Sequence, residues 1–527
     1  MIAMVAAALL VIPGSVAPCR PLCFTYFTDC EMGKLSLDRD RKQAHRSTAL
    51  RRAILAMNRD QLLSEYPLLA QLGQAQPSLI SECTGIVRRF IGFRNAVAPL
   101  VDRPDSLSPG VYDESVTSIL RLAAEHRMFS MALPQSLGGS GCTMLTLSIG
   151  LEQLSQTCAG IANLLATHGL ALAVVGAAGS LRCLRQLAER IVEGELQREA
   201  YLLCTAATEP SAGSDLEDFD ELQQARIESI AVSVAGGYRL NGRKIYVSNG
   251  SLASAAVVVM PTDRQNPRES LTAFLVSRET RGLSVARTET KLGQRVSPAA
   301  ELFFDSCFVP DQARISTGTV AGRTLDLVLG SSRSVVGAFG AGIARGVYDT
   351  CLRLSKSRRA DGTTLFEQSS TKSLLGRMWT NANEARSSYV EANIANAQFG
   401  LVSFMGNEAI RLMDRIVPQS LVKSFAARKL FELPAMDEQA RRIMARLPTS
   451  HVAIASCHGA ACKVISSELA LRNCELSLEL LGADATREST GLPKFYRDAR
   501  LLPIYEGTND ICLLDVAKKA NLAWGQT

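Results

Sequence analysis

Tyr505-Glu506-Gly507-Thr508 sets a single carboxylate between the apolar run LLPI and the small polar residues that follow it. A carboxylate held out of water has its pKa raised toward neutrality and can then act as a general base. Gly507 permits close backbone approach to a ligand. A surface Glu in a loop would be written with the same letters. Three further segments hold groups that could face a ligand. TEPSAGSD (208–215) follows the strand-like YLLCTAA and places hydroxyls and backbone N–H groups around Gly213. That suits the edge of a polar cofactor or a phosphate, or equally a capped turn. KIYVSNG (244–250) puts Tyr246 and Ser248 on one face of a strand, one to stack on a ring and the other to donate a hydrogen bond, or simply ends a strand. KLGQRVS (291–297) leads into a strand. In KFYRDAR (494–500), Arg497 and Asp498 are free to pair with each other or with the chain nearby.

The elements that must position these groups change along the chain. Residues 50–200 are rich in Leu, Ala and Arg, and Leu184, Leu187 and Ile191 recur at helical spacing. LPQSLGGSG (133–141) interrupts the helices as a loop. From 227, β-branched runs alternate with turns. Asn241-Gly242 reads as a hairpin turn between YRL and RKIYV, because both positions tolerate positive φ. Strands are expected at 255–260, 272–276, 283–286 and 300–309, enough for a small β barrel or sandwich. After about 322, Val335, Phe339, Ile343, Val347 and Cys351 repeat every fourth residue, as do Ile465, Leu469 and later Leu476 and Leu480. Such helices pack as a bundle. The expected fold is therefore α+β: a partly disordered or helical extension at 1–84, a helical domain at 85–200, a β domain at 201–315 and a C-terminal helical bundle at 316–527. An extra helical hairpin is expected near 405–450, a segment that contains Pro breaks at Pro418 and Pro434.

The totals narrow the function. The 527 residues allow about three domains at roughly 150 residues each. With 47% hydrophobic and 20% charged residues the chain can build large cores, and a net charge of +6 with 6% aromatics does not call for nucleic acid. The 14 Cys are scattered without CxxC and read as reduced thiols of an intracellular protein; the five His form no metal pattern. The uncharged first 18 residues are broken by Pro13 and lack a basic leader, so no membrane span is expected. They read as a tail, or as sequence upstream of a start at Met32.

In their order, TEPSAGSD, LNGRKIYVSN, KLGQRVS and YRDAR with IYEGTND resemble the acyl-CoA dehydrogenase family over about residues 128–520. The resemblance implies a helical domain, a β domain and a C-terminal four-helix bundle, with FAD bound between subunits of a homodimer or homotetramer. It puts the flavin-binding strand at Thr205, Ala206, Ala207 and Thr208. It puts the flavin-stacking aromatic at Tyr246, its neighbouring hydroxyl at Ser248, and further cofactor contacts at Arg358, Gly482, Thr508 and Asp510. Ser214, Arg333 and Gly507 fall on the acyl-CoA side. The base becomes Glu506, abstracting the α-proton while hydride passes to flavin, and the enolate oxygen would meet the Glu506 N–H. Ser332 stands where some relatives carry the base on an earlier helix. An electron-transfer flavoprotein is the implied acceptor, and the setting is cytoplasmic, or the mitochondrial matrix in a eukaryote. Cys512-Leu513 and Gly482-Ala483 depart from the family's Gln-Arg and Gly-Gly. They motivate the alternative of an impaired member acting as scaffold or assembly factor; a flavin oxidase or other-substrate relative is the other.

Overall fold

The computed structural model describes residues 59–75, 77–101, 109–213, 221–360, 362–401, 429 and 432–524. The tail at 1–58, Ser214 and most of the expected 405–450 hairpin lie outside them. The described chain runs from helices through two sheets and back to helices.

The first helical part holds α1 (Arg59–Glu65), α2 (Pro67–Ala75), α3 (Pro77–Val101), α4 (Pro109–Glu125), α5 (Met144–Ser155), α6 (Ala159–Ala177) and α7 (Leu181–Gln197). α2, α3 and α4 each open on Pro, whose fixed φ suits a first helical turn and whose missing N–H costs nothing there. α6 is apolar almost all round, which makes it a core helix. It is long and apolar enough to cross a membrane, as is the later helix Thr319–Ser357, yet both are mostly buried against protein. Leu184, Leu187 and Ile191 all face inward from α7, as their spacing predicts.

Eight strands follow as two four-stranded sheets, in the orders β1-β4-β5-β8 and β2-β3-β7-β6. They are β1 (Leu203–Ala206), β2 (Ile230–Val234), β3 (Gly237–Ser248), β4 (Ala255–Pro261), β5 (Leu271–Ser277), β6 (Leu283–Thr288), β7 (Ala299–Pro310) and β8 (Arg314–Thr317). β1 pairs with β4 in parallel and the other pairs are antiparallel. Ala206, Val258 and Phe274 of one sheet meet Leu240, Leu302 and Phe304 of the other in a shared core. The β domain is a sandwich, with no closed barrel among the described residues.

The turn expected at Asn241-Gly242 is not a turn. β3 runs through it, and the pairing with β7 slips there as a bulge, with Gly242 at φ 132. A Cβ on Gly242 would press on Ser229. The hairpin is closed one step earlier, by Ala235-Gly236 between Val234 and Gly237. Asn-Gly marks backbone that goes left-handed easily, and bulges use that freedom as readily as hairpins do.

The C-terminal part packs α8 (Thr319–Ser357), α9 (Ser369–Gln398), α11 (Thr449–Leu481) and α13 (Asn509–Trp524) into a bundle, with α10 (Pro434–Met444) beside α7 and α12 (Leu492–Ala499) across one end. The α8 row Val335, Phe339, Ile343, Val347 and Cys351 is buried. In the α11 row, Leu476 is buried and Leu469 and Leu480 pack against the cores as expected, but Ile465 does not follow. Ile465 is exposed, whereas Lys463, Ser466, Ser467 and Asn473 are buried. Their polar atoms are met by neighbours: Asn473 Nδ2 donates to Ala344 O and Met378 O, and Ser466 Oγ to Ala385 O. A polar face is buried without penalty when it is bonded in this way. Gly340 lets α8 and α11 touch, since a Cβ there would lie 2.4 Å from Ser466 O.

Candidate active site

Glu506 sits in the turn between α12 and α13 at φ 56, with Gly507 at φ 80. Left-handed backbone at an ordinary residue costs about 1–2 kcal/mol, so something must hold it. Two buried cations do. Arg333 Nε donates to Glu506 O at 3.1 Å, and Lys463 Nζ donates to Gly507 O at 2.6 Å and to Asn509 Oδ1 at 2.9 Å. Arg333, expected near CoA, is buried here and also pairs with Asp515 of α13. Thr508 caps α13, its Oγ1 accepting from Ile511 N–H. Asp510 is exposed in the first turn of that helix.

The turn aims the Glu506 carboxylate back at α8, where Ser332 Oγ donates to Oε2 at 2.6 Å. Burial pushes the carboxyl above its usual range; the Ser332 hydrogen bond and the charges of Arg333 and Lys463 offset only part of that rise. The Glu506 N–H donates to none of the described residues. Tyr505 is tied in separately. Gln294 Nε2 donates to Tyr505 OH at 3.2 Å and to Asp498 O, while Gln294 N–H donates to Asp498 Oδ1 at 2.6 Å. KLGQRVS and YRDAR are thus two sides of one joint. Arg497 pairs with Glu488, and Asp498 also pairs with Lys494.

The carboxylate looks into a cavity of about 230 Å³ between α6, α7, α8 and α10. Its walls are mostly Leu, Val, Ala and Phe side chains with Met144 and Met444, and no cationic side chain lines it among the described residues. The polar exceptions besides Glu506, Tyr505 and the serines are Asn163 and Thr167. Asn163 Nδ2 donates to Ser297 Oγ, and Thr167 Oγ1 donates to Asn163 Oδ1.

β1 forms a second part of the site. Cys204 and Ala206 point into the sandwich, whereas Leu203 faces the helical core and Thr205 shares its side of the strand. Ala206 therefore has only backbone to offer a ligand. Ala207 O accepts from Lys244 Nζ at 2.7 Å, and Thr208 O from Ile245 N–H at 2.9 Å. Lys244 is buried and pairs at 2.7 Å with Glu209, whose other oxygen accepts the N–H groups of Glu228 and Ser229. Burial raises the Glu209 pKa, but Lys244 and the Ser229 hydrogen bonds outweigh it and hold the carboxyl low. This pair ties the TEPSAGSD turn to β3. Tyr246 lies on a second bulge of β3, at φ 54 and 62% exposed, and Ser248 is half-buried; neither belongs to the sandwich core. Arg358, at the end of α8, pairs with Asp484, two residues beyond Gly482. Those two are brought together, but no hydrogen bond or ion pair links them to Thr205–Thr208.

Sequence reasoning passed over Lys463, Gln294, Lys244 and Glu209. The available signal was a charge set among small or apolar neighbours, as with Lys463 between Cys462 and Val464 and Lys244 within a strand.

Sequence profiles for the N-terminal, middle and C-terminal domains of acyl-CoA dehydrogenases match residues 86–195, 204–307, and 323–400 with 405–520. The chain belongs to the acyl-CoA dehydrogenase family. It is similar to cyclohex-1-ene-1-carbonyl-CoA dehydrogenase of Geobacter metallireducens, at 29% identity over 74% of this chain and 86% of that one. Among solved structures, butyryl-CoA dehydrogenase from Megasphaera elsdenii superposes with a TM-score of 0.64 at 20% identity, covering 83% of this chain and 98% of that one. A structure described with the electron transferring flavoprotein of Acidaminococcus fermentans gives 0.62 at 20% identity, covering 83% and 97%.

FAD is the cofactor of this acyl-CoA dehydrogenase, and the residues present fit it. Thr205 Oγ1 is buried without a hydrogen-bond partner among the described residues, and so is Gln294 Oε1. Buried polar atoms are bonded as a rule, so the Thr205 hydroxyl is set to bond a group lying along β1.

Proposed function

We propose that this acyl-CoA dehydrogenase removes two hydrogens from adjacent carbons of an acyl-CoA thioester, with Glu506 taking the α-proton. The observation that carries the reading is a half-buried carboxylate, its pKa raised, bonded to Ser332 at the wall of an apolar cavity. FAD, when bound, supplies the acceptor for the hydrogen that leaves the β-carbon. The chain's own residues do the rest. The cavity walls exclude water, which keeps Glu506 basic enough for a weak carbon acid. Arg333 and Lys463 fix its backbone, so the carboxylate swings little. The Glu506 N–H is the donor for the thioester oxygen as charge builds there. Thr205 to Thr208, Tyr246 and Ser248 would hold the flavin, Gly507 and Arg333 would serve the acyl-CoA side through the turn they shape, and Ser332 tunes the base.

The acceptor we assign is an electron-transferring flavoprotein, in line with the fold shared with the Acidaminococcus structure. Assembly as a homodimer or homotetramer is supported by Leu513, Leu514, Leu522 and Trp524, which lie exposed along α13.

Glu506→Gln tests the reading. The variant should keep bound FAD and lose at least about 10²-fold in turnover, the lower range for a missing general base. Unchanged turnover would remove Glu506 from the mechanism. An absorbance spectrum recorded anaerobically with a panel of acyl-CoAs tests the reaction itself: the flavin band should bleach with at least one of them.

A further inference from the structure

The cavity has two ends, and α6 runs between them. At its start, Gly160 packs on the backbone of Gln294, whose side chain holds Tyr505 beside Glu506. At its finish, Gly179 packs on Ala440 and Arg441 of α10. From Asn163 to Ala177, both lining residues, the helix rises about 21 Å. α10 is locked at the second end. Asp437 is buried and accepts the Leu181 N–H at 2.9 Å, and Gly179, at φ 69, lets the two backbones meet. Ala440 and Met444, one helical turn apart on α10, face the cavity alongside Leu181 and Leu184.

We propose that α10 is the stop of the acyl site: Ala440 and Met444 set how long a chain the cavity takes, and that chain is an uncharged hydrocarbon. The second half follows from the walls, whose described residues include no Lys, Arg or His to meet a terminal carboxylate. A charge buried there without a partner would carry a large desolvation cost. The inference rests on the acyl-CoA reading above and deepens it.

The test is equilibrium binding of a series of straight-chain saturated acyl-CoAs to the full-length FAD-loaded enzyme, with turnover measured beside it. Ala440→Leu should move the tightest-binding length downward and weaken the longest acyl-CoA by about 10-fold or more, the effect of one misfitted methylene in such a pocket. Met444→Ala should move it upward, and Met444 is half-buried, so this variant keeps the fold if the first does not. An ω-carboxyl acyl-CoA should bind the wild type at least about 10-fold more weakly than its methyl-ended counterpart. The same preferred length in all three proteins would overturn the stop, and equal binding of the carboxyl-ended chain would overturn the hydrocarbon limit. Shifted binding with no flavin bleaching by any chain would support the stop and count against the dehydrogenation reading instead.

Discussion

Glu506 keeps its two kinds of neighbour apart. The cations Arg333 and Lys463 bond to backbone carbonyls of its turn, while the carboxylate itself receives, among the described residues, only the Ser332 hydroxyl. A cation bonded directly to the carboxylate would have pulled its pKa down. As built, geometry is held by charge and basicity by burial. The base acts when ionised, so kcat/KM should rise with pH through a pKa above the usual carboxylate range. Ser332→Ala removes a hydrogen bond that favours the ionised form, so the rising limb should move to higher pH. A limb that stays in place would show that Ser332 does not tune the base. The YEGT motif made Glu506 legible in the sequence. Lys463 was not legible, because its burial depends on polar partners from the 506–509 turn, while the apolar spacing pointed to Ile465, which is exposed.

Two contacts between elements carry predictions. His168 joins α6 to β1: its ring lies 3.1 Å from Phe129 O and accepts the Leu203 N–H at 3.2 Å. Both contacts suit a neutral ring, and burial lowers its pKa to about 4. The folded state thus resists a proton that the unfolded chain takes up near pH 6.5, so this part of the stability is complete above 6.5 and is lost as pH falls toward 4. The loss is on the order of 3 kcal/mol over that interval. Urea unfolding at pH 7 and pH 4.5 should show a steep fall in the wild type and a shallower one in His168→Gln. The other contact is α8 on α11 at Gly340. Gly340→Val should cost about 1–3 kcal/mol in the same measurement, because the neighbour is a backbone carbonyl that cannot step aside. Strands β4, β5 and β7 were legible as β-branched and aromatic runs. The bulge at Gly242 was not, since local sequence tells where left-handed backbone is easy and long-range pairing decides what it is used for.

Across the molecule, one buried cluster joins the first helical part to α9 of the C-terminal bundle. Glu152 of α5 accepts from Arg386 and Tyr389 of α9 and from Tyr66 between α1 and α2. Arg386→Leu would strand the Glu152 charge and should cost about 3–5 kcal/mol, seen as a lower melting temperature, while Arg386→Leu with Glu152→Leu should recover much of it. The helical, β, helical order was legible from texture. The joints were not, because Glu152 and Arg386 stand 234 residues apart. The order of synthesis matters too. The cavity walls from Ala132 to Met444 leave the ribosome before Tyr505 and Glu506, which close the site. A message cut short after α12 would yield a protein with both sheets and the acyl pocket encoded but no base. Such a chain would also lack the turn carbonyls that Arg333 and Lys463 bond, so one turn both supplies the base and satisfies two buried charges.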